Sequence, residues 1–211
     1  PVSIVITEMR TEQGEVTGYL CIAQDVTQRL EYEASMRTAM EAANHGWPEP
    51  VRDTVPVNGI VPAIGGGAEA VALARQSGCG TIKLKVAQTG ETLAHDLKRV
   101  AAIRAALPDS IIRVDANGAW DVGEAVKAIR KLDDAAGGLE YVEQPCATVE
   151  ELAEVRTKVH VPIAADESIR RVSDPFRVRD LKAADIAVLK VQPLGGVRAC
   201  LRIAEQIDMP V

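Results

Sequence analysis

Five ionic side chains stand at matching places in five successive apolar runs of this chain. Lys85 closes Ile82-Lys83-Leu84-Lys85, and Asp115 closes Ile111-Ile112-Arg113-Val114-Asp115. Glu143 follows Leu139-Glu140-Tyr141-Val142, Asp166 follows Val161-Pro162-Ile163-Ala164-Ala165, and Lys190 follows Ile186-Ala187-Val188-Leu189. The interior of a parallel-strand barrel is normally filled by Val, Ile and Leu, so charge repeated at the C-terminal ends of consecutive strands marks a site. From Asp115 the successive steps are 28, 23 and 24 residues, each about one strand–helix unit. That spacing sets the groups side by side around one mouth.

Three carboxylates held this close raise one another's pKa unless a cation neutralises them. An all-oxygen set suits Mg²⁺, so Asp115, Glu143 and Asp166 are the candidate metal ligands. Lys85 and Lys190 flank them as candidate proton-transfer groups. Lysine is a poor base at its reference pKa of about 10.4, and a neighbouring cation or burial lowers that value; Lys85 has Lys83 two residues away. A metal clamping a carboxylate stabilises the enediolate formed when an α-proton leaves. The chemistry read from the residues is proton abstraction next to a carboxylate. Any one of these charges alone is more often a solvated loop-edge residue; five in register argue for a site. Glu140, Glu167 and Arg170 are read as rim ion pairs, and His45, His95 and His160 as surface residues.

The elements that must hold this set follow from periodicity. Strand-like runs at about 55–64, 80–86, 110–116, 139–145, 161–166 and 185–192 alternate with helical stretches at about 66–77, 91–107, 122–136, 148–158, 174–182 and 196–207. Val122, Ala125, Val126, Ile129 and Leu132 share one helical face. Such alternation implies parallel strands with helical crossovers. Six units favour an α/β fold of TIM type over a doubly wound sheet, since Gly65-Gly66-Gly67 lacks dinucleotide-binding spacing. Along each strand residues of one parity share a face. Lys83 with Lys85, Arg113 with Asp115 and Asn117, Tyr141 with Glu143, Ala164 with Asp166, and Val188 with Lys190 are expected to turn inwards. An eight-stranded barrel needs about 250 residues, so the 157 from Val55 to Val211 suffice for an incomplete (β/α) barrel. Its open edges are expected to pair with other chains, by strand swapping, oligomerisation or aggregation, unless the N-terminal hairpin covers one.

The first forty residues differ in style. Val2 to Met9 and Gly18 to Val26 read as strands around the turn signal Gln13-Gly14-Glu15, with a polar helix from Thr27 towards Met40. His45-Gly46-Trp47-Pro48-Glu49-Pro50 reads as a linker. The chain begins at Pro1 and stops at Met209-Pro210-Val211, as expected of a piece or a join of pieces.

Only 3% of the residues are aromatic and the net charge is −6, which argues against nucleic acid as a partner. No apolar stretch approaches the roughly 20 residues needed to span a bilayer. The scattered Cys21, Cys79, Cys146 and Cys200 lack metal-binding spacing and fit a reducing compartment. A cytoplasmic protein acting on a small-molecule carboxylate is expected.

From about residue 41 to 211 the chain resembles the enolase superfamily in its muconate-lactonizing-type branch. The matching motifs are Lys83-Leu84-Lys85, Val114-Asp115-Ala116-Asn117-Gly118, Glu143-Gln144-Pro145, Ala165-Asp166-Glu167-Ser168 and Leu189-Lys190, with Gly195-Gly196 following. A Lys or His base with Mg²⁺ is the general design of that superfamily. The resemblance implies that Asp115, Glu143 and Asp166 bind Mg²⁺, that Lys85 is the general acid/base, and that Lys190 is the opposing cation. It implies that Asn117 supports the metal shell and Lys83 tunes Lys85. The implied reaction is dehydration of a cyclohexadiene carboxylate in menaquinone biosynthesis; racemisation of N-acylamino acids or epimerisation of dipeptides would use the same groups. The capping domain and last two strands of that family are missing, so little or no activity is expected of the chain by itself. Residues 1–40 resemble the C-terminal part of a PAS sensor domain, on Gly14-Glu15-Val16-Thr17-Gly18-Tyr19, the run through Asp25-Val26-Thr27, and the helix after it. The strands lining a PAS pocket are absent, so sensing is not expected, and a signalling or chimeric fragment without catalysis is the remaining alternative.

Overall fold

The computed structural model describes residues 2–10, 16–25, 34–35 and 54–211. Contacts divide the chain into two compact units, Pro1–Val55 and Pro56–Val211. In the first, β1 (Val2–Arg10) and β2 (Val16–Asp25) pair antiparallel, from Val2 opposite Asp25 to Met9 opposite Gly18, with a register shift between Met9 and Arg10. Residues 34–35 are helical. The expected turn at Gln13-Gly14-Glu15, the helix start at Thr27 and the linker from His45 to Pro50 lie outside the described residues.

The second unit alternates strand and helix throughout. In chain order it contains β3 (Gly59–Val61), α1 (Gly67–Ser77), β4 (Thr81–Lys85), α2 (Leu93–Ala106), β5 (Ile111–Asp115), α3 (Val122–Ala136) and β6 (Val142–Glu143). There follow α4 (Val149–Arg156), β7 (Ile163–Ala165), α5 (Asp174–Asp180), β8 (Ile186–Ala187) and α6 (Val197–Gln206). The six strands form one parallel sheet in sequence order, as expected when each strand returns beside its predecessor through a helix.

Alternation sorts the side chains of these strands. Ile82 and Leu84 of β4, and Ile112 and Val114 of β5, are buried in the core that also receives Ile103, Ile129 and Leu132 of the helices. Lys83, Lys85 and Asp115 take the opposite parity. The buried face of α3 is formed by Ala125, Ala128, Ile129, Leu132 and Ala136, whereas Val122 and Val126 are only partly buried, a shift from the expected stripe. Helix starts are fixed locally. Asp121 and Glu124 form a reciprocal capping box on α3, and Thr148 and Glu151 form one on α4.

Strands are shorter than the apolar runs suggest. β8 covers only Ile186–Ala187, so Lys190 stands beyond the strand, with its side chain 48% exposed. This corrects its expected place on the inward face of a strand. Ladder bonds continue past other strand ends, as in Val86 N–H to Asp115 O at 2.9 Å and Ala116 N–H to Glu143 O at 3.1 Å. The loops carrying the ionic groups are thus tied to the sheet.

Glycine is required where β3 passes the end of α1. A Cβ on Gly59 would lie 2.3 Å from Ser77 Oγ and 2.6 Å from Ser77 Cβ. Ser77 Oγ cannot simply turn away, because it donates to Ala74 O at 2.7 Å and accepts from Cys79 N–H at 3.2 Å. Gly59→Ala is expected to destabilise the unit by about 1–3 kcal/mol in urea denaturation. Ser77→Gly should cost less in that background than in the parent chain; equal costs in both would contradict the close approach.

Candidate active site

The sheet register lines up the charges. Lys85 of β4 stands opposite Asp115 of β5, which stands opposite Glu143 of β6, which stands opposite Ala164 of β7. Asp166 follows two residues beyond Ala164. Asp115, Glu143 and Asp166 are all buried, at 0%, 1% and 3% exposure. Burying three carboxylates along one strand-end row is unfavourable unless positive charge meets them.

Lysines supply that charge. Lys83 Nζ donates to Glu143 Oε1 at 2.9 Å and Oε2 at 2.8 Å, and lies 3.4 Å from Asp115 Oδ2. Lys85 Nζ donates to Asp115 Oδ2 and, at 2.9 Å, to Asn117 Oδ1. Lys190 Nζ donates to Asp166 Oδ2 at 2.6 Å, and Arg170 Nη1 to Asp166 Oδ1 at 3.1 Å. The other Asp115 oxygen accepts from the Asn117 N–H at 3.0 Å, and Asn117 Nδ2 donates to Glu167 Oε1 at 3.1 Å. All seven predicted residues thus fall in ion pairs and hydrogen bonds along the strand ends. Lys83 engages two acids rather than only standing near Lys85. Of the rim charges, Arg170 lies 3.6 Å from Glu167, Glu140 pairs with Arg113, and Arg170 also reaches the buried row through Asp166. His95 bonds Glu91 at 2.9 Å and His160 bonds Asp133 at 3.0 Å, both exposed and away from the row.

Proton affinities follow the same balance. Burial is the largest influence on Glu143 and pushes its carboxyl up to about 7; Lys83 pulls the other way, while Asp115 and Asp166 add to the rise. Burial also opposes the charge on Lys83, yet Glu143 and Asp115 hold that ammonium above its ordinary value. Both shifts have one sense: the buried pair keeps its protons. For Asp166 burial again opposes ionisation, and the hydrogen bonds from Lys190 and Arg170 outweigh it, holding the carboxyl below its usual range.

Among the described residues, no three Asp, Glu, His or Cys side chains are placed to hold one ion in the rotamers found. The expected cage is therefore not assembled: each acid is turned to a lysine. The set nevertheless fits a hard dication in chemistry and charge. It offers three buried carboxylates from adjacent strand ends.

Two supports were invisible in the sequence. Asp96 and Arg99, three residues apart on α2, form an ion pair with each side chain 1% exposed. Asp96 Oδ2 accepts from Ala87 N–H at 3.0 Å, and Arg99 donates to Lys85 O at 3.3 Å and Pro62 O at 3.4 Å. The pair anchors the backbone that carries Lys85. Charges at i and i+3 on a polar helix read as a solvated face, which is why spacing did not reveal them. The second support is Gln144, in the Glu143-Gln144-Pro145 motif, whose side chain bonds the backbone N–H groups of Asp166 and Ser168.

A sequence profile of the family described as "Enolase C-terminal domain-like" matches residues 67–209. The chain belongs to this family. It is 63% identical over 172 residues to the o-succinylbenzoate synthase of Thermobifida fusca, covering 81% of this chain and 53% of that protein. It is 54% identical over 187 residues to the o-succinylbenzoate synthase of Mycolicibacterium smegmatis, covering 86% of this chain and 57% of the other. The chain thus spans about half the length of the curated relatives it matches. Among solved structures, the muconate lactonizing enzyme from Pseudomonas putida superposes with a TM-score of 0.67 at 34% identity, covering 75% of this chain and 44% of that one. The six strand–helix units are accordingly part of an enolase-type TIM barrel. Among the described residues, no helix is long and apolar enough to cross a membrane.

Removing one partner of the buried α2 pair strands the other. Asp96→Ala is expected to cost about 3–5 kcal/mol in urea denaturation, while the joint replacement Asp96→Leu with Arg99→Met costs much less. A loss under about 1 kcal/mol for Asp96→Ala would contradict the anchoring role.

Proposed function

We propose that this chain carries the catalytic strand ends of an Mg²⁺-dependent lyase, o-succinylbenzoate synthase, which dehydrates a cyclohexadiene carboxylate during menaquinone biosynthesis. The observation that carries the reading is the continuous row Lys85–Asp115, Lys83–Glu143, Lys190–Asp166 at the ends of adjacent parallel strands. Identity of 63% to a relative bearing that name supports the choice of reaction.

In this reading Asp115, Glu143 and Asp166 would hold Mg²⁺, which would supply positive charge to the substrate carboxylate and make its α-proton more acidic. Lys85, 29% exposed at the mouth, takes that proton on Nζ. The carbon–oxygen bond to the neighbouring hydroxyl then breaks, the ring becomes aromatic, and the proton leaves with the hydroxyl as water. Lys190 stands on the other side of the acid row and places its ammonium against the enediolate. Asn117 holds both Asp115, through its backbone N–H, and Lys85, through its side-chain oxygen. Lys83, which pairs with Glu143 and Asp115 in the metal-free row, would yield those carboxylates to the ion and remain beside Lys85. For residues 1–40 the PAS-like reading is a proposal that rests on the sequence motif alone.

Calorimetric titration with Mg²⁺ tests the acid row directly. The parent chain should bind one ion, and Asp115→Asn should weaken binding at least about tenfold. Unchanged binding in the variant would remove the metal from the mechanism. In a preparation that turns over substrate, Lys85→Ala should lower kcat by about 10²–10⁴ while Mg²⁺ affinity stays nearly the same. A small loss of rate would show that another group moves the proton.

A further inference from the structure

Gln144 is fully buried and sits between the two acids Glu143 and Asp166 in the bonding pattern of the sheet. Its backbone adopts φ +36°, a left-handed conformation that costs a non-glycine residue about 1–3 kcal/mol. Four side-chain hydrogen bonds hold it there. Its Oε1 accepts from Asp166 N–H at 2.9 Å and Ser168 N–H at 3.2 Å; its Nε2 donates to Cys146 O at 2.9 Å and Ser168 Oγ at 2.7 Å. Each polar atom of the amide therefore makes two bonds, the full capacity of the group. Backbone bonds extend the brace: Gln144 N–H donates to Ala164 O at 2.8 Å, and Gly118 N–H donates to Gln144 O at 2.7 Å. One side chain thus ties the loop after β6 to the loop after β7, and its carbonyl adds the loop after β5.

We infer that Gln144 is a positioning residue that fixes the separation of the Glu143 and Asp166 carboxylates and thereby sets which size of divalent cation the acid row accepts. The inference rests on the metal reading above and goes beyond it by assigning selectivity to a residue that touches no ion. Asp166 is held twice, by Gln144 at its backbone N–H and by Lys190 and Arg170 at its carboxylate. The side-chain partners are flexible and half-exposed, so the backbone tie is the one that sets where the residue stands. Mg²⁺ demands oxygens near 2.0–2.1 Å in strict geometry, whereas Ca²⁺ accepts about 2.3–2.6 Å in looser arrangements. Loosening the brace should therefore penalise Mg²⁺ more than Ca²⁺.

The test is calorimetric titration of the chain with Mg²⁺ and, separately, with Ca²⁺, comparing the parent with Gln144→Met. Methionine keeps the length and apolar bulk while losing all four bonds. The expected result is a loss of Mg²⁺ affinity of about 10–100-fold, with a clearly smaller loss for Ca²⁺, so that the ratio of the two dissociation constants moves toward Ca²⁺. Faster hydrogen exchange at the Asp166 and Ser168 amides should accompany it. A merely structural glutamine would lower the melting temperature and weaken both ions alike; an unchanged ratio overturns the inference while leaving the metal reading intact. Absence of Mg²⁺ binding by the parent chain overturns both, and is seen before any variant is made. Should Gln144→Met fail to fold, Ser168→Ala removes a single bond of the brace. It should shift the ratio in the same direction, by less, and no shift there counts equally against the inference.

Discussion

Placing Asp115, Glu143 and Asp166 on adjoining strand ends takes three negative charges out of water in one small region. The solvation each carboxylate loses can be returned only by positive charge or by donors aimed at it. Lys83, Lys85, Lys190 and Arg170 meet that demand, and the Asn117 backbone N–H adds to it at Asp115. Much of the geometry of the C-terminal rim follows from this need. At Glu143 burial outweighs that compensation and pushes the carboxyl up to about 7.

The same constraint links scaffold and chemistry. A dication and a lysine ammonium compete for the same carboxylate oxygens, so a row that lysines neutralise is also one whose lysines stand ready beside any ion that takes their place. A proton-accepting lysine must be released from its acid before it can act, and a cation taking the place of Lys85 at Asp115 would release it. The supports lie behind the row. The α2 pair Asp96–Arg99 grips the backbone of Lys85 and Ala87, and Gln144 grips the loops of Glu143 and Asp166. Both are buried polar groups placed where catalytic side chains need fixed backbones.

Much of this was legible in the residues. Alternation in Ile82-Lys83-Leu84-Lys85 gave both the strand and its charged face, and helices such as α3 announced themselves by an apolar stripe. Lys190 shows where strand logic stops: the apolar run from Ile186 to Val191 reads as one strand, but ladder pairing with β7 involves only Ile186 and Ala187. The partners of the acids were also hidden. Register puts Lys85 beside Asp115, yet that Lys83 would clamp Glu143 depends on side-chain reach across two strands. Gln144 illustrates the deeper limit. Its partners Asp166 and Ser168 lie 22 and 24 residues away, and no local pattern announces a glutamine in left-handed backbone before Pro145.

Diffraction from crystals grown with Mn²⁺, recorded at the manganese absorption edge, tests the central claim most directly. The account predicts a single strong anomalous peak at the strand-end row with oxygens of Asp115, Glu143 and Asp166 all bound to it, and Lys83, Lys85 and Lys190 displaced from their present contacts with those acids. A peak elsewhere, or an ion touching only one of the three carboxylates while the lysines keep their places, would contradict it.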